Sequence, residues 1–152
     1  MNEKIDNLQL EIATKFDELI PVEYKEAHLL FVGGLNVAST MYFCFIDAAT
    51  GKVFPSDLLP RRKELDIDID ENEYRRRFMR LTRDIMNLQG EYAAAYDKEW
   101  YVMTCKLDQD GKFDISFTYE KPTGTFKKMV EKWCMDNFGI TTPVVTVDML
   151  KK

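Results

Sequence analysis

The sequence predicts an α+β fold: an antiparallel β-sheet with helices packed on one face, in the order α-β-β-β-α-β-β-α. Three observations predict it. Phe113, Ile115, Phe117 and Tyr119 alternate with the polar Lys112, Asp114, Ser116 and Thr118, the period of a half-buried strand. Asp108-Gln109-Asp110-Gly111 precedes that strand, and Gly111 can take the positive φ of a tight turn, so Glu99 to Tyr119 reads as strand, turn, strand. Ile5, Leu8, Ile12, Phe16, Leu19 and Ile20 advance by steps mostly of three and four, the stripe of an amphipathic helix. A hairpin of this kind belongs to an antiparallel sheet with one side left for water or a partner.

The elements follow in order. Asn2 is placed to cap the first helix and Pro21 to end it. Tyr24 to Val32 reads as a strand, Gly33-Gly34 as a break, and Val37 to Ile46 as a second strand. Met41 to Ile46 is apolar without alternation, which predicts a central strand covered on both faces. Thr50-Gly51 is a turn before a short third strand, Lys52-Val53-Phe54, ended by Pro55. Ser56 to Leu65 reads as loop. The longest helix is expected from about Glu71 to Asp97, with Tyr74, Phe78, Leu81, Ile85, Leu88 and Tyr92 as its apolar stripe. Asp70 with Glu73 has the form of a capping box. Glu71–Arg75 and Glu73–Arg77 have favourable helical spacing, and Gly90 predicts a kink or an early end of the helix. A last helix, about Thr125 to Phe138, is stopped by Gly139, and Val144 to Leu150 is readable as either helix or extended arm.

A chain of 152 residues corresponds to one domain, residues 1–152, large enough to fold without metals or disulfides. The net charge of −5 argues against nucleic acid as the primary partner, because phosphate binding needs a basic surface. Cys44, Cys105 and Cys134 are odd in number, widely spaced and set in apolar segments, so buried free thiols are expected. Met1 to Asp6 is charged and lacks the apolar run of a signal peptide, and no stretch approaches the ~20 apolar residues of a membrane span, which predicts a cytoplasmic protein.

Chemistry is sparse. His28 is the single histidine, set between Ala27 and Leu29, and reads as structural. Asp66-Ile67-Asp68-Ile69-Asp70-Glu71 invites a calcium-loop reading, but the sixth and twelfth positions from Asp66 hold Glu71 and Arg77 instead of glycine and glutamate. Those acids serve the positive end of the following helix, offer a negative patch to a basic partner, or do both. Asp108-x-Asp110-Gly111 is a turn before it is a ligand site. Arg75, Arg76, Arg77, Arg80 and Arg83 read as a solvated, ion-paired face. Neither Gly33-Gly34 nor Thr123-Gly124-Thr125 matches a phosphate-binding signature.

Several islands resemble a known family. The first helix runs into Ile20-Pro21-Val22-Glu23-Tyr24, similar to an Ile-Pro-x-Glu-Trp junction. Glu99-Trp100, a strand and Asp110-Gly111-Lys112-Phe113-Asp114-Ile115-Ser116-Phe117-Thr118-Tyr119 come next, and Asn137-Phe138-Gly139-Ile140 before Pro143 closes the set. In this order and spacing, from about Ile5 to Pro143, they resemble the YezG-like immunity family, antitoxins paired with LXG-type and related toxins of Gram-positive type VII secretion. The resemblance implies a cytoplasmic α+β protein, neither catalytic nor cofactor-dependent, that neutralises the toxic C-terminal domain of a cognate effector, often a nuclease. It implies no direct contact with nucleic acid or membrane. Tyr24 stands where a tryptophan is common, and the chain ends Met149-Leu150-Lys151-Lys152 where the family tends to be acidic. The candidate contact residues are Asp66, Asp68, Glu71 and Glu73, with Asp108, Asp110 and Asp114 around the hairpin; the polar hairpin face of Asp114, Ser116 and Thr118 is an alternative docking surface. A non-catalytic regulatory or scaffolding module that binds some other protein is the alternative function.

Overall fold

The computed structural model describes residues 2–34, 37–57, 59–65 and 67–140, with the backbone alone at 37 and 38. Helix α1 (Glu3–Leu19) leads into strands β1 (Tyr24–Gly34), β2 (Val37–Asp47) and β3 (Val53–Pro55). Two short 3₁₀ turns, Leu59–Arg61 and Lys63–Leu65, interrupt the expected loop before α2 (Glu71–Tyr96). Strands β4 (Val102–Asp108) and β5 (Phe113–Thr118) and helix α3 (Phe126–Phe138) follow. The five strands form one sheet in the order β3-β2-β1-β4-β5, with every neighbouring pair antiparallel. The α+β class and the element order are those the sequence predicts. The expected tail over Val144 to Leu150 lies outside the described residues.

The local signals act as their chemistry requires. Asn2 Oδ1 accepts from Ile5 N at 3.1 Å, and Asp70 Oδ2 accepts from Glu73 N at 3.0 Å, satisfying donors that the first helical turn leaves open. Helix α2 runs through Gly90 without a break and ends on Asp97 in the left-handed region, at φ 50°. Gly34, at φ 105°, has a second reason to be glycine: a Cβ there would lie 2.8 Å from Gln89 Nε2. That amide donates to Gly33 O at 2.9 Å and Trp100 O at 2.8 Å, fastening α2 to the sheet where β1 ends and β4 is about to begin.

Alternation along the central strands divides the core in two. Ala27, Leu29 and Phe31 of β1 and Met41, Phe43 and Phe45 of β2 pack with Phe16 of α1 and Leu81, Ile85 and Leu88 of α2. Trp100 is fully buried in this layer, stacked on Phe117 at a centroid distance of 4.7 Å. Leu30 and Val32 of β1 and Tyr42 and Cys44 of β2 point the other way and pack with Val130, Trp133 and Cys134 of α3. The helices are therefore not all on one face. Helices α1 and α2 share one, and α3 crosses to the other, because β1 and β2 carry apolar side chains on both sides and the second set also has to leave water. This is what the unbroken apolar run Met41 to Ile46 anticipates. Cys44, Cys105 and Cys134 are buried free thiols, as expected.

Asp114, Ser116 and Thr118, on the polar side of β5, stay exposed, and α3 lies beside them. His28 lies beneath its end, its ring edge-on to Phe138 at 4.8 Å and its Nε2 2.5 Å from Glu26 Oε1. The hydrogen bond with His28 holds the Glu26 carboxyl below its ordinary range, with Lys106 at 3.7 Å adding to the effect. These partners account for His28 as a structural residue.

Candidate partner-binding groove

The pairing of β1 with β4 sets Glu26 opposite Asp108. The tip of the β4–β5 hairpin is thereby carried across to the end of α1 and the junction that leads into β1. Gln109 N donates to Lys25 O at 3.2 Å and joins the two segments. Between them runs an open groove of about 1010 Å³, room for several side chains of a partner. Ala13, Ile20 and Leu107, all buried residues, line it, and Leu10 and Phe113 are more exposed at 54% and 38%. Asp17, Glu23, Asp108 and Asp110 also line it, and among the described residues no lysine or arginine does.

Two of those carboxylates are fixed by the backbone or by a neighbour. Asp108 Oδ1 accepts from Asp110 N at 2.9 Å and from Lys112 N at 3.0 Å, forming the turn that Gly111 closes at φ 85°. Asp17 Oδ1 accepts from the Tyr24 hydroxyl at 2.6 Å. Burial, and after it the adjacent Asp17, pushes the Tyr24 hydroxyl well up, so it stays protonated and donates. Tyr24 thus positions one acid of the groove. Glu23 and Asp110 make no side-chain hydrogen bond or ion pair within the described residues, and both are exposed.

The structure separates the acids that the sequence suggests as contact residues. Asp108 and Asp110 meet in the groove, joined there by Asp17 and Glu23. Asp114 projects to the opposite side of the sheet, paired in register with Lys106 and bordering a small pocket of about 250 Å³ with His28, Trp133 and Asn137. Asp66 lies outside the described residues, and Asp68 is exposed. Glu71 forms a two-pronged ion pair with Arg61, at 2.5 Å to Nε and 3.1 Å to Nη2, and takes this partner instead of Arg75. That guanidinium holds the Glu71 carboxyl below its ordinary range. Glu73 pairs with both Arg76 and Arg77, the latter at 3.1 Å.

Sequence reasoning did not reach Asp17 or Glu23. Asp17 reads only as a polar position in the last turn of α1, and the hairpin acids it meets in the groove, Asp108 and Asp110, lie about ninety residues away. The one available signal was Glu23 inside the Ile-Pro-x-Glu junction.

The acid-lined groove, with Leu10 and Phe113 exposed beside it, sits on an α+β frame with the order found above. The model of the family described as "YezG-like: Immunity protein YezG-like" matches residues 5–148. This chain belongs to that family, which carries an immunity role and implies a toxin as partner. A protein of Bacillus spizizenii named "Immunity protein YezG" is 27% identical over 149 residues, covering 95% of this chain and 88% of the relative. Among the described residues no helix is long and apolar enough to cross a membrane.

Proposed function

We propose that this protein is an immunity protein that binds and neutralises the toxic C-terminal domain of one cognate secreted toxin, in the cytoplasm of the cell that makes both. It acts by stoichiometric occlusion and not by catalysis. The toxin domain is of the LXG-type, type VII class and presents a basic surface, as a nuclease would. The carrying observation is the groove: Asp17, Glu23, Asp108 and Asp110 line a shared depression to which, among the described residues, no lysine or arginine contributes, beside the apolar Leu10 and Phe113. Such a field raises the association rate of a basic partner, and the apolar positions add contact area once it has docked. Asp108 and Asp110 are thus the contact residues of the hairpin, and Asp17 and Glu23 complete the surface.

Co-expression with the toxic domain encoded beside this protein tests the reading. Growth rescue together with a co-purifying one-to-one complex is the expected result. Undiminished toxicity while this protein is present and folded overturns it.

A further inference from the structure

The arginine cluster of α2 has no place in the groove. Glu71, Glu73, Asp84 and Glu91 are the only acids of that helix. Each is engaged: Glu71 with Arg61, Glu73 with Arg76 and Arg77, Asp84 with Lys15, and Glu91 with Lys4 at 3.1 Å. Two of the four are therefore held by lysines of α1, and a third by the arginine of a preceding turn. Arg80 and Arg83 are left exposed with no carboxylate partner among the described residues. At helical spacing they fall between Met79 and Met86, which are 54% and 46% exposed, on the side of α2 opposite its buried stripe of Leu81, Ile85 and Leu88.

We infer that the outer face of α2, built on Met79, Arg80, Arg83 and Met86, is a second docking surface, for an acidic amphipathic segment of a partner protein. Arginine and methionine are the side chains that protein interfaces enrich, while the depletion of glutamate and aspartate on this face leaves positive charge uncompensated. The chemistry favours protein over nucleic acid. No aromatic side chain stands on this face to stack a base, since Tyr74, Phe78 and Tyr92 pack toward the core. The two methionines would gain little from a phosphate backbone, yet each offers a flexible apolar contact to a leucine or phenylalanine of a facing helix. The face shares no residue with the groove, so it does not depend on the function proposed above.

The probe is a fluorophore-labelled synthetic peptide of leucines and glutamates at helical spacing, titrated by anisotropy beside a DNA duplex of matched net charge. Saturable peptide binding is expected at low salt. Arg80→Glu with Arg83→Glu weakens it about tenfold or more, the scale that reversing close charge pairs gives. Met79→Ser with Met86→Ser weakens it several-fold at the same salt, and the groove variant Glu23→Lys with Asp110→Lys leaves it within about twofold. No saturable binding, tighter capture of the duplex, or unchanged affinity in the methionine variant overturns the inference.

Discussion

Two acidic clusters look alike along the chain and differ in the folded molecule. One opens α2, where Asp70 caps the helix and Glu71 and Glu73 are held by Arg61, Arg76 and Arg77. The other lies in the groove, where Asp108 and Asp110 of the hairpin meet Asp17 and Glu23 with no lysine or arginine in the lining among the described residues. The first cluster spends its charge within the molecule, on a helix terminus and on neighbouring guanidinium groups. In the second, the carboxylates that are fixed accept from neutral amide and hydroxyl donors, which leave their negative charge uncompensated. Local acid density is thus a poor guide to a binding surface. The sign of the side chains brought beside it by tertiary structure decides.

Charge reversal breaks this comparison most sharply. Glu23→Lys with Asp110→Lys changes two exposed side chains that carry no side-chain hydrogen bond or ion pair among the described residues, so the fold should persist. Affinity for the cognate toxin domain is expected to fall at least tenfold, mostly through slower association, with a weaker dependence on salt. The matched reversal at the other cluster, Glu71→Lys with Glu73→Lys, is expected to change affinity by no more than about twofold, since its charge is already compensated. Surface plasmon resonance at two ionic strengths measures both. Equal losses from the two double variants would dissolve the distinction between the clusters.

Asp70→Ala inverts the readout. Removing the acceptor of the Glu73 amide should lower stability by about 1 kcal/mol in a denaturant titration. Toxin affinity should stay as it was, because Asp70 serves the helix and not the groove. A loss of affinity at unchanged stability would place the docking surface at the helix start instead.

The same contrast marks what the sequence can disclose. Caps, turns and strand alternation are local, so Asn2, Asp70, Gly111 and the β5 pattern are legible before any fold is known. The face on which α3 packs is not. Its stripe of Val130, Trp133 and Cys134 declares a buried side of the helix but does not say which side of the sheet receives it. The groove is hidden for a related reason: it exists only because β4 pairs with β1 in preference to β2 or β3 and carries residues 108–113 to the end of α1. Half of its acids, Asp108 and Asp110, could be singled out along the chain, but their partners Asp17 and Glu23 become neighbours through a long-range register.

The smallest effect expected is electrostatic and confined to one side chain. Arg61 lowers the pKa of Glu71 in the folded protein, chiefly by its hydrogen bonds. The contribution of this pair to stability is therefore present above the ordinary glutamate value of about 4.3 and lost as pH falls through the lower, folded value. Both side chains are about half exposed, 54% for Arg61 and 47% for Glu71, so water screens the pair and the unfolding midpoint should barely move. The titration of the Glu71 carboxyl carbon by NMR is the more sensitive measurement. Its midpoint should lie below the ordinary range in the native protein and return to it in Arg61→Ala. A native midpoint already in the ordinary range would mean that Glu71 is not held by Arg61 in solution, and the helix-start cluster would then keep free charge for a partner as the groove does.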